Sequence, residues 1–366
     1  MGFTCGIVGL PNVGKSTLFN ALTATIAAQA ENYPYCTIEP NVGRIAVPDP
    51  RLDQIAALAK SASIVPTQMD FADIAGLVQG ASKGEGLGNQ FLAHIREVDA
   101  LAHVVRCFED EKITHVAARI NPIDDIETVD TELMLADLES LEKRVDLLTK
   151  IARGNDKEAK AMLGLTERTI AALRDGTPAR AVERTDDEES LFRQLNLLTA
   201  KPVMYVCNVD EDSAATGNHL AECVAERAAS GGAISVVISA SIEAEVAQLE
   251  DPSERTEFLS SLSLKETGLT RVIKAGYELL GLITFLTAGP KESRAWTIKK
   301  GIKAAQAAGT IHTDFERGFI CAETIAFEDY IVCNGEFGAK VSGKMRQEGR
   351  DYVVKDGDVL LFRFNV

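Results

Sequence analysis

The sequence of 366 residues predicts an α/β protein with a mostly parallel sheet, helices on both faces, an inserted helical arm and a β-rich C-terminal domain. Three observations lead to this prediction. Short apolar runs alternate with helical patterns in the first half, as in parallel strands joined by helices. A stretch rich in Leu, Ala, Glu, Lys and Arg then interrupts the alternation. Near the C-terminus, short β-like runs separated by Gly-rich turns replace it.

These changes of pattern predict a discontinuous α/β domain over 1–128 and 200–280, a helical arm over 129–199 and a β-rich domain over 281–366. Domains of about 100–200 residues make two or three of them reasonable for this length. The strands expected in the first domain are Phe3–Val8, Met69–Ile74, Ala100–Cys107, Pro202–Asn208 and Ala233–Ser239.

The predicted arm has the three-four spacing of one helix face at Leu138, Leu141, Val145 and Leu148. A second helix is expected at Lys157–Arg174, and Thr185 with Glu188 resembles a capping box before a third. Ordinary packing helices fit the same pattern, and neither interpretation places chemistry there. In the C-terminal domain we expect one helix near Gly338–Gln347 and strands at Arg294–Ile298, Tyr330–Cys333, Asp351–Val354 and Val359–Asn365.

The charge balance is acidic, with 38 Lys and Arg against 54 Asp and Glu, a net charge of −16. Such a chain does not bind nucleic acid through its bulk charge, which argues against a DNA partner. Residues 281–366 carry 12 basic and 11 acidic residues, so the rest of the chain carries −17. The C-terminal domain is therefore the part least repelled by RNA.

Compartment is indicated by the cysteines and by the apolar runs. The seven cysteines form no CxxC motif, which favours reduced thiols in a cytoplasmic protein. The N-terminal residues lack the basic start of a targeting signal. No apolar run reaches the roughly 18 residues that a membrane span needs. We expect a cytoplasmic location and no membrane partner.

The segment Gly9–Ser16 reads GLPNVGKS and fits GxxxxGK[ST] between a strand and a helix. Backbone N–H groups of such a segment, here called the P-loop, wrap a phosphate at a helix N-terminus. Lys15 is expected to reach the β- and γ-phosphates, and the Ser16 hydroxyl to ligate Mg²⁺. The expected nucleotide-binding residues here are Asn12, Val13, Gly14, Lys15, Ser16 and Thr17.

A DxxG motif from Asp73 to Gly76 follows an apolar strand. Asp73 fits an acid that holds Mg²⁺ through water, and the Gly76 N–H would sense the γ-phosphate. Alone this motif is weak, and its position after a P-loop strengthens it. Thr37, in the loop after the P-loop helix, would complete a magnesium site with Ser16 and Asp73. The Gly-rich run that follows Gly76 suits a switch that orders around the γ-phosphate.

The residues at the end of the strand that finishes at Asn208 indicate which nucleotide base the site prefers. GTPases carry NKxD there, whereas this chain reads Asn208-Val209-Asp210-Glu211. A longer carboxylate at Glu211 should not make the paired guanine contact, and specificity built on hydrogen bonds fails when partners mismatch. Asn208 can still bond to a purine. We therefore expect ATP in preference to GTP, with relaxed purine specificity as the alternative. Ser239 begins a loop that fits behind the base.

The position directly after the DxxG motif holds Leu77, where Ras-like enzymes place a water-positioning Gln. Another group must act, or turnover stays slow until a partner arrives. His115 is a candidate because it follows the strand ending at Cys107, although a lone histidine is more often structural.

With these motifs the chain resembles the YchF family of Obg-related P-loop proteins, also called Obg-like ATPases. The resemblance runs from Met1 to Val366 and rests on Gly9–Leu22, Cys36–Gly43, Asp73–Val78, Gly80–Leu92, Arg294–Ile298 and Ala307–Ile320. It implies an OBG-type G domain, a coiled-coil arm and a C-terminal TGS domain. It also implies ATP bound at an NxxE motif, with the backbone of Val209 against the adenine. The family's proposed catalytic histidine falls on His115, and family members associate with ribosomes.

The sequence thus predicts a Mg²⁺-dependent ATPase that acts as a switch on the ribosome, with an RNA contact. Three rivals stay open: a GTPase of the same fold, a small-molecule phosphotransferase, and a scaffold in which nucleotide only stabilises the fold. Val209 and Glu211 argue against the first. The second would need a lid with catalytic arginines, which 80–88 lacks, and Leu77 keeps the third possible.

Overall fold

The computed structural model describes residues 3–30, 38–39, 42–74, 87–110, 120–154, 156–249 and 251–365. The chain divides into two compact units. The first takes the described residues within 1–28, 37–43 and 70–279, and the second those within 29–36, 44–69 and 280–366.

Strands and helices alternate along most of the described chain. The strands are β1 (Thr4–Val8), β2 (Ile38–Glu39), β3 (Val42–Ala46), β4 (Ile64–Val65), β5 (Gln68–Asp73), β6 (Ala100–Arg106), β7 (Val203–Asn208), β8 (Ile234–Ile238), β9 (Leu282–Thr287), β10 (Ser293–Lys299), β11 (Phe319–Ile325), β12 (Arg346–Glu348) and β13 (Val359–Phe364). The helices are α1 (Lys15–Ala30), α2 (Pro50–Ala59), α3 (Leu87–Glu97), α4 (Pro122–Ala152), α5 (Lys157–Arg174), α6 (Asp186–Gln194), α7 (His219–Ser230), α8 (Ala240–Val246), α9 (Pro252–Ser261), α10 (Gly268–Leu279), α11 (Ala304–Ile311), α12 (Thr313–Arg317), α13 (Phe327–Val332) and α14 (Glu336–Val341).

A seven-stranded sheet in the order β2-β3-β5-β1-β6-β7-β8 carries the candidate site. From β5 to β8 every neighbouring pair is parallel, and β2 pairs with β3 antiparallel. Every residue of β6 and β7 is buried, as expected for parallel strands covered on both faces. The predicted α/β class and mostly parallel sheet are confirmed, and each of the five predicted strands forms within one or two residues of its expected ends.

The arm is built on α4, which has 31 residues and rises about 1.5 Å per residue, so it is ~46 Å long. Asn121 caps the N-terminus of α4, and its side chain accepts the Ile123 N–H at 3.1 Å. At the start of α6 the Thr185 N–H donates to the Glu188 carboxylate at 3.1 Å, as in the predicted capping box. Apolar side chains of α4, α5, α6 and the segments on either side of α6 form one cluster: Leu141, Leu165, Ile170, Leu173, Ala179, Phe192, Leu195 and Leu197.

A second set of contacts fixes the arm to the chain that enters β7. The Asp137 carboxylate, on α4, accepts the N–H groups of Leu198 and Thr199, both at 2.8 Å. It also accepts the Thr199 hydroxyl at 2.7 Å, and that hydroxyl accepts the Ala179 N–H at 3.0 Å. These four residues, which we call the arm base, are all buried.

The second unit contains a six-stranded sheet in the order β12-β11-β13-β9-β10-β4. Phe285 lies in its core, 6.2 Å from the Trp296 ring and 5.9 Å from the Phe362 ring, centroid to centroid. Leu52 and Ile55 of α2 join the same unit's apolar core. The chain between 44 and 69 thus packs with the C-terminal residues, and the predicted domain boundaries stay a prediction.

Two strand predictions in the C-terminal region are wrong. Tyr330–Cys333 was expected as a strand, but these residues lie in and just after α13. Two acidic residues in the first turn favour the helix, and left-handed Asn334 and Gly335 end it. Asp351–Val354 makes only one isolated bridge, from Val353 to Lys303.

The expected single C-terminal helix near Gly338–Gln347 exists in part, as α14, but it is one of four helices after residue 300 in the described chain. The described cysteines are free thiols, and Cys5, Cys107 and Cys207 are buried as expected of core residues. Among the described helices, none combines the length and apolarity needed to span a membrane.

Candidate nucleotide-binding site

The P-loop joins β1 to α1 with three backbone positions in the left-handed region. Gly9 has φ 147°, Asn12 has φ 62° and Gly14 has φ 101°. A Cβ at Gly14 would collide with the side-chain nitrogen of Asn208, so glycine is required there. The first helical bond of this turn runs from the Leu18 N–H to the Gly14 carbonyl at 3.0 Å. The N–H groups at the start of α1 are of the kind that bind anions.

Lys15 folds back over this loop. Its ammonium donates to the Gly9 carbonyl at 2.9 Å and to the Leu10 carbonyl at 2.6 Å. The side chain is only 8% exposed. This burial disfavours the charged form and lowers the Lys15 pKa to about 8, while the nearby Asp73 carboxylate opposes the shift.

Asp73 ends β5, the neighbour of β1, and pairs in register with Ile7 just before the P-loop. Partial burial raises the pKa of its carboxyl, and Lys15 opposes that rise. Ser16 is exposed in the first turn of α1. Hydroxyl and carboxylate oxygens suit Mg²⁺, so Ser16 and Asp73 fit a magnesium ion held mainly by phosphate and water. Thr37 and Gly76, the other predicted members, lie outside the described residues.

At the end of β7, Asn208 ties two loops together. Its side-chain nitrogen donates to the Val13 carbonyl at 3.0 Å, and its side-chain oxygen accepts the Ala240 N–H at 2.9 Å. The side chain is buried at 4% exposure. The sequence suggested a contact from Asn208 to a purine. In the structure its carboxamide fixes the P-loop against the loop that follows β8.

The residues after Asn208 have separate roles. The Val209 N–H donates to the Ile238 carbonyl at 2.8 Å, and its side chain is buried. The Asp210 carboxylate accepts the Ser213 N–H at 2.9 Å and so closes a turn. Glu211 is exposed at the rim. Ser239 is buried and its hydroxyl contacts that of Ser241 at 2.9 Å.

The structure also reveals a wall that sequence reasoning missed. Phe108, Glu109 and Asp110 follow β6 and lie beside the P-loop and the Asn208–Asp212 segment. Phe108 is half-buried and the two acids are exposed. This motif-free wall carried no sequence signal beyond its position after a buried strand.

These elements enclose one cavity of about 770 Å³, within the range of small-molecule sites. Its lining is Asn12, Gly14, Lys15, Ser16, Thr17, Phe108, Glu109, Asp110, Asn208, Val209, Asp210, Glu211, Asp212, Ala240 and Ser241. Most predicted nucleotide contacts are therefore brought together. The side chains of Val13 and Ser239 are buried and do not line the cavity.

Histidines contribute little to the described part of this site. His103, on β6, is fully buried beside the Tyr205 ring at 5.7 Å between centroids. Burial, with Lys15 nearby, lowers its pKa to about 3, so it is a neutral core residue. His115, the predicted catalytic histidine, lies outside the described residues.

Two family models match the chain. Residues 4–137 match MMR_HSR1, described as a 50S ribosome-binding GTPase. Residues 282–365 match YchF-GTPase_C, described as a protein of unknown function.

Whole-chain relatives share the same name. Ribosome-binding ATPase YchF of Escherichia coli O157:H7 is 56% identical over 366 residues, and that of Bacillus subtilis is 54% identical over 368 residues, with both chains fully covered in each case. The solved YchF GTPase of Schizosaccharomyces pombe is 37% identical, with a TM-score of 0.88 over 99% of this chain and 98% of that one. The chain has an α/β G domain with a P-loop and a C-terminal YchF domain. More than half of its residues are identical to those of full-length relatives of that name. This chain belongs to the YchF family.

Proposed function

We propose that the protein is a Mg²⁺-dependent, ATP-hydrolysing switch that associates with the ribosome and prefers ATP over GTP. The observation that carries this proposal is the P-loop itself. Its left-handed glycines, the start of α1 and the Lys15 ammonium all border a cavity of nucleotide size.

Binding would begin at the phosphates. The N–H groups of 12–17 and the helix N-terminus offer donors to the β- and γ-phosphates. Lys15 would exchange its contacts with the Gly9 and Leu10 carbonyls for phosphate oxygens. An ammonium is sheltered here, so its attraction to the triphosphate is less screened than at the surface.

Magnesium would be held by Ser16 and Thr37, with Asp73 acting through water. The ion would neutralise charge that develops on the phosphates. Lys15 and the Gly76 N–H would do the same at the γ-phosphate, and His115 would position or deprotonate the attacking water. Ordering of the segments that contain Thr37 and Gly76 would report the triphosphate to a partner.

Base selectivity would come from the far end of the cavity. Val209 supplies no amphipathic stem comparable to the GTPase lysine, and its side chain is buried. The Asp210 carboxylate already serves the turn at Ser213. That leaves Glu211, whose side chain is one carbon longer than the aspartate with which GTPases contact guanine. The Phe108 ring, which also lines the cavity, offers a surface on which a purine can stack.

The predicted domains complete the proposal. The G domain at 1–128 and 200–280 would bind nucleotide, while the coiled-coil arm at 129–199 and the TGS domain at 281–366 would present to the ribosome. The names of the bacterial relatives, ribosome-binding ATPases, support this partner. The TGS domain, whose net charge is +1, is where we place the RNA contact. We propose a cytoplasmic location, without DNA or membrane partners.

The test is a titration of nucleotide-free protein with ATP and with GTP, each with Mg²⁺, followed by phosphate release with and without ribosomes. Tighter ATP binding and ribosome-stimulated ATP hydrolysis are expected. A preference for GTP would contradict the interpretation of Val209 and Glu211. ATP binding without turnover in either condition would favour a scaffold.

A further inference from the structure

Arg106, the last residue of β6, is the largest fully buried side chain in the described chain, at 1% exposure. A guanidinium stays charged inside a protein, so burying it is unfavourable unless hydrogen bonds compensate. No motif drew attention to this residue, and the proposed chemistry does not use it.

Arg106 contacts the short segment that follows it three times. Its Nε donates to the Phe108 carbonyl at 3.1 Å, and its Nη2 donates to the Asp110 carbonyl at 3.1 Å. The guanidinium carbon lies 4.6 Å from the centre of the Phe108 ring, within cation–π range. One rigid, planar group therefore fixes both the main chain and the ring of this segment.

That segment is the wall of the nucleotide cavity formed by Phe108, Glu109 and Asp110. Arg106 itself does not line the cavity. It pairs in register with Asn208 on β7, so two buried polar side chains at one level of the sheet each hold part of the cavity. Asn208 holds the P-loop, and Arg106 holds the wall.

We propose that Arg106 is a positioning residue that presents Phe108 to the nucleoside part of a bound nucleotide and so sets nucleotide affinity. This inference rests on the proposed nucleotide-binding function. A ring held in place before binding loses less freedom when a base stacks on it. With phosphates on the P-loop, the wall meets the base and ribose, so its effect is absent for a ligand made of phosphate alone.

The test compares Arg106→Lys with the wild type, using ATP and inorganic tripolyphosphate as ligands. Lysine keeps the charge but cannot bond two carbonyls in the planar geometry of a guanidinium. The dissociation constant and KM for ATP should rise about tenfold with kcat changed much less, the pattern of lost uniform binding. The tripolyphosphate dissociation constant should stay within about twofold, because this ligand has no base or ribose to meet the wall. General damage to the fold would instead weaken binding of both ligands alike.

Arg350 supplies a matched control. It donates to the carbonyls of Phe319 and Glu316 at 3.3 and 3.1 Å, and it lies over the Phe319 ring at 5.6 Å. It belongs to the second unit and borders no part of the nucleotide cavity. Arg350→Lys should leave affinity for both ligands unchanged.

The double variant with Phe108→Ala tests whether the two residues act together. Its loss of ATP affinity should be smaller than the product of the single losses, because both variants remove the same ring contact. ATP affinity unchanged in Arg106→Lys, or equal losses for ATP and tripolyphosphate, overturns the inference.

If Arg106→Lys does not fold, Phe108→Ala still tests the wall on which the role of Arg106 depends, because Phe108 is only half-buried. Unchanged ATP affinity in that variant removes the wall from recognition, and the role of Arg106 with it. Failure of the wild type to bind either ligand would instead reject the nucleotide-binding function itself.

Discussion

The P-loop and the arm base are two places in the first unit where an ionisable side chain is sheltered from water. At the P-loop, Lys15 is 8% exposed and donates to two main-chain carbonyls. At the arm base, Asp137 is 1% exposed and accepts three hydrogen bonds. Sheltering and hydrogen bonding are thus alike in the two regions.

The two regions differ in whether the buried charged group also borders a cavity that a ligand can enter. An ammonium has three donors, and Lys15 borders a cavity of about 770 Å³. Asp137 borders no such cavity, and both of its oxygens bond to the chain at 198–199. A sheltered charge that faces a cavity can serve a ligand, whereas one enclosed by its own chain serves the fold. Substitutions in the two regions test that distinction.

The largest effect is expected from Lys15→Met. This substitution removes a preorganised positive charge from the place where negative charge develops on the phosphates, which lowers kcat by about 10²–10³-fold. ATP affinity should fall as well. Stability should not fall, because burial already disfavours the charged lysine. ATP turnover and urea unfolding of the nucleotide-free protein measure the two quantities.

Lys201 offers a matched control for this change. Its ammonium donates to the Arg96 carbonyl at 3.1 Å and the Val98 carbonyl at 2.5 Å, and burial lowers its pKa. It does not line the cavity. Lys201→Met should keep wild-type turnover, and equal losses in the two variants would break the comparison.

The opposite pattern is expected from Asp137→Ala. Removing the carboxylate leaves the buried N–H groups of Leu198 and Thr199 without their acceptor, which destabilises a protein by about 3 kcal/mol. ATP affinity of the folded protein should stay within about twofold, because no arm-base residue lines the nucleotide cavity. Denaturant unfolding and ATP titration below the transition test this.

Asp146, exposed on the same helix α4, provides the control. Asp146→Ala should change stability by less than about 0.5 kcal/mol, as for most surface substitutions. A large affinity loss in Asp137→Ala with unchanged stability would place the arm base in the binding machinery instead.

These two regions also differ in how far the sequence foretold them. The P-loop conformation is local: left-handed Gly14 and the start of α1 at Lys15 are encoded within eight consecutive residues. The arm base joins Asp137 to Thr199, 62 residues further along the chain, and its buried acid has no motif. Contacts of that separation depend on how helices pack, which periodicity does not specify.

The same limit explains the C-terminal errors. The apolar, β-branched run at Tyr330–Cys333 favours a strand by propensity. In the structure Tyr330 is buried while Val332 is 84% exposed, and acidic residues begin the helix. Tertiary burial of one face overrode local preference. Arg106 was missed for a related reason, because its importance comes from folding back onto Phe108.

A third prediction concerns pH. The Lys15 pKa in the nucleotide-free protein is about 8, below the 10.5 of an ordinary lysine. A triphosphate binds the charged form of Lys15. Above about pH 8 most of the lysine is neutral, so binding requires uptake of a proton. The dissociation constant should therefore rise with pH, approaching about tenfold per pH unit. Titrations with ATP between pH 7 and pH 9.5, about one to two units around the pKa, measure this.

Stability should change in the opposite direction. The folded state disfavours the charged lysine, and this penalty is complete below about pH 8. It disappears as pH rises from 8 toward 10.5, so the contribution of Lys15 to stability improves over that window. In Asp73→Asn, measured without Mg²⁺, the loss of affinity should begin at lower pH, because the Asp73 carboxylate raises the Lys15 pKa. An affinity that is flat across this range in the wild type would contradict the sheltered ammonium.

The smallest effect is expected at Thr199. Thr199→Val keeps the shape of the side chain but removes the hydroxyl that donates to Asp137 and accepts the Ala179 N–H. The free energy of unfolding should fall by about 1–2 kcal/mol, and ATP affinity should be unchanged. Thr199→Ser keeps the hydroxyl and should lie closer to the wild type.

The two arm-base changes should not be additive. In Asp137→Ala the Thr199 hydroxyl has already lost its acceptor, so adding Thr199→Val should cost less than it does in the wild type. A full additional loss in the double variant would mean that the hydroxyl stabilises the arm mainly through the Ala179 N–H. The arm base would then be two independent contacts, and the contrast with the P-loop would rest on Asp137 alone.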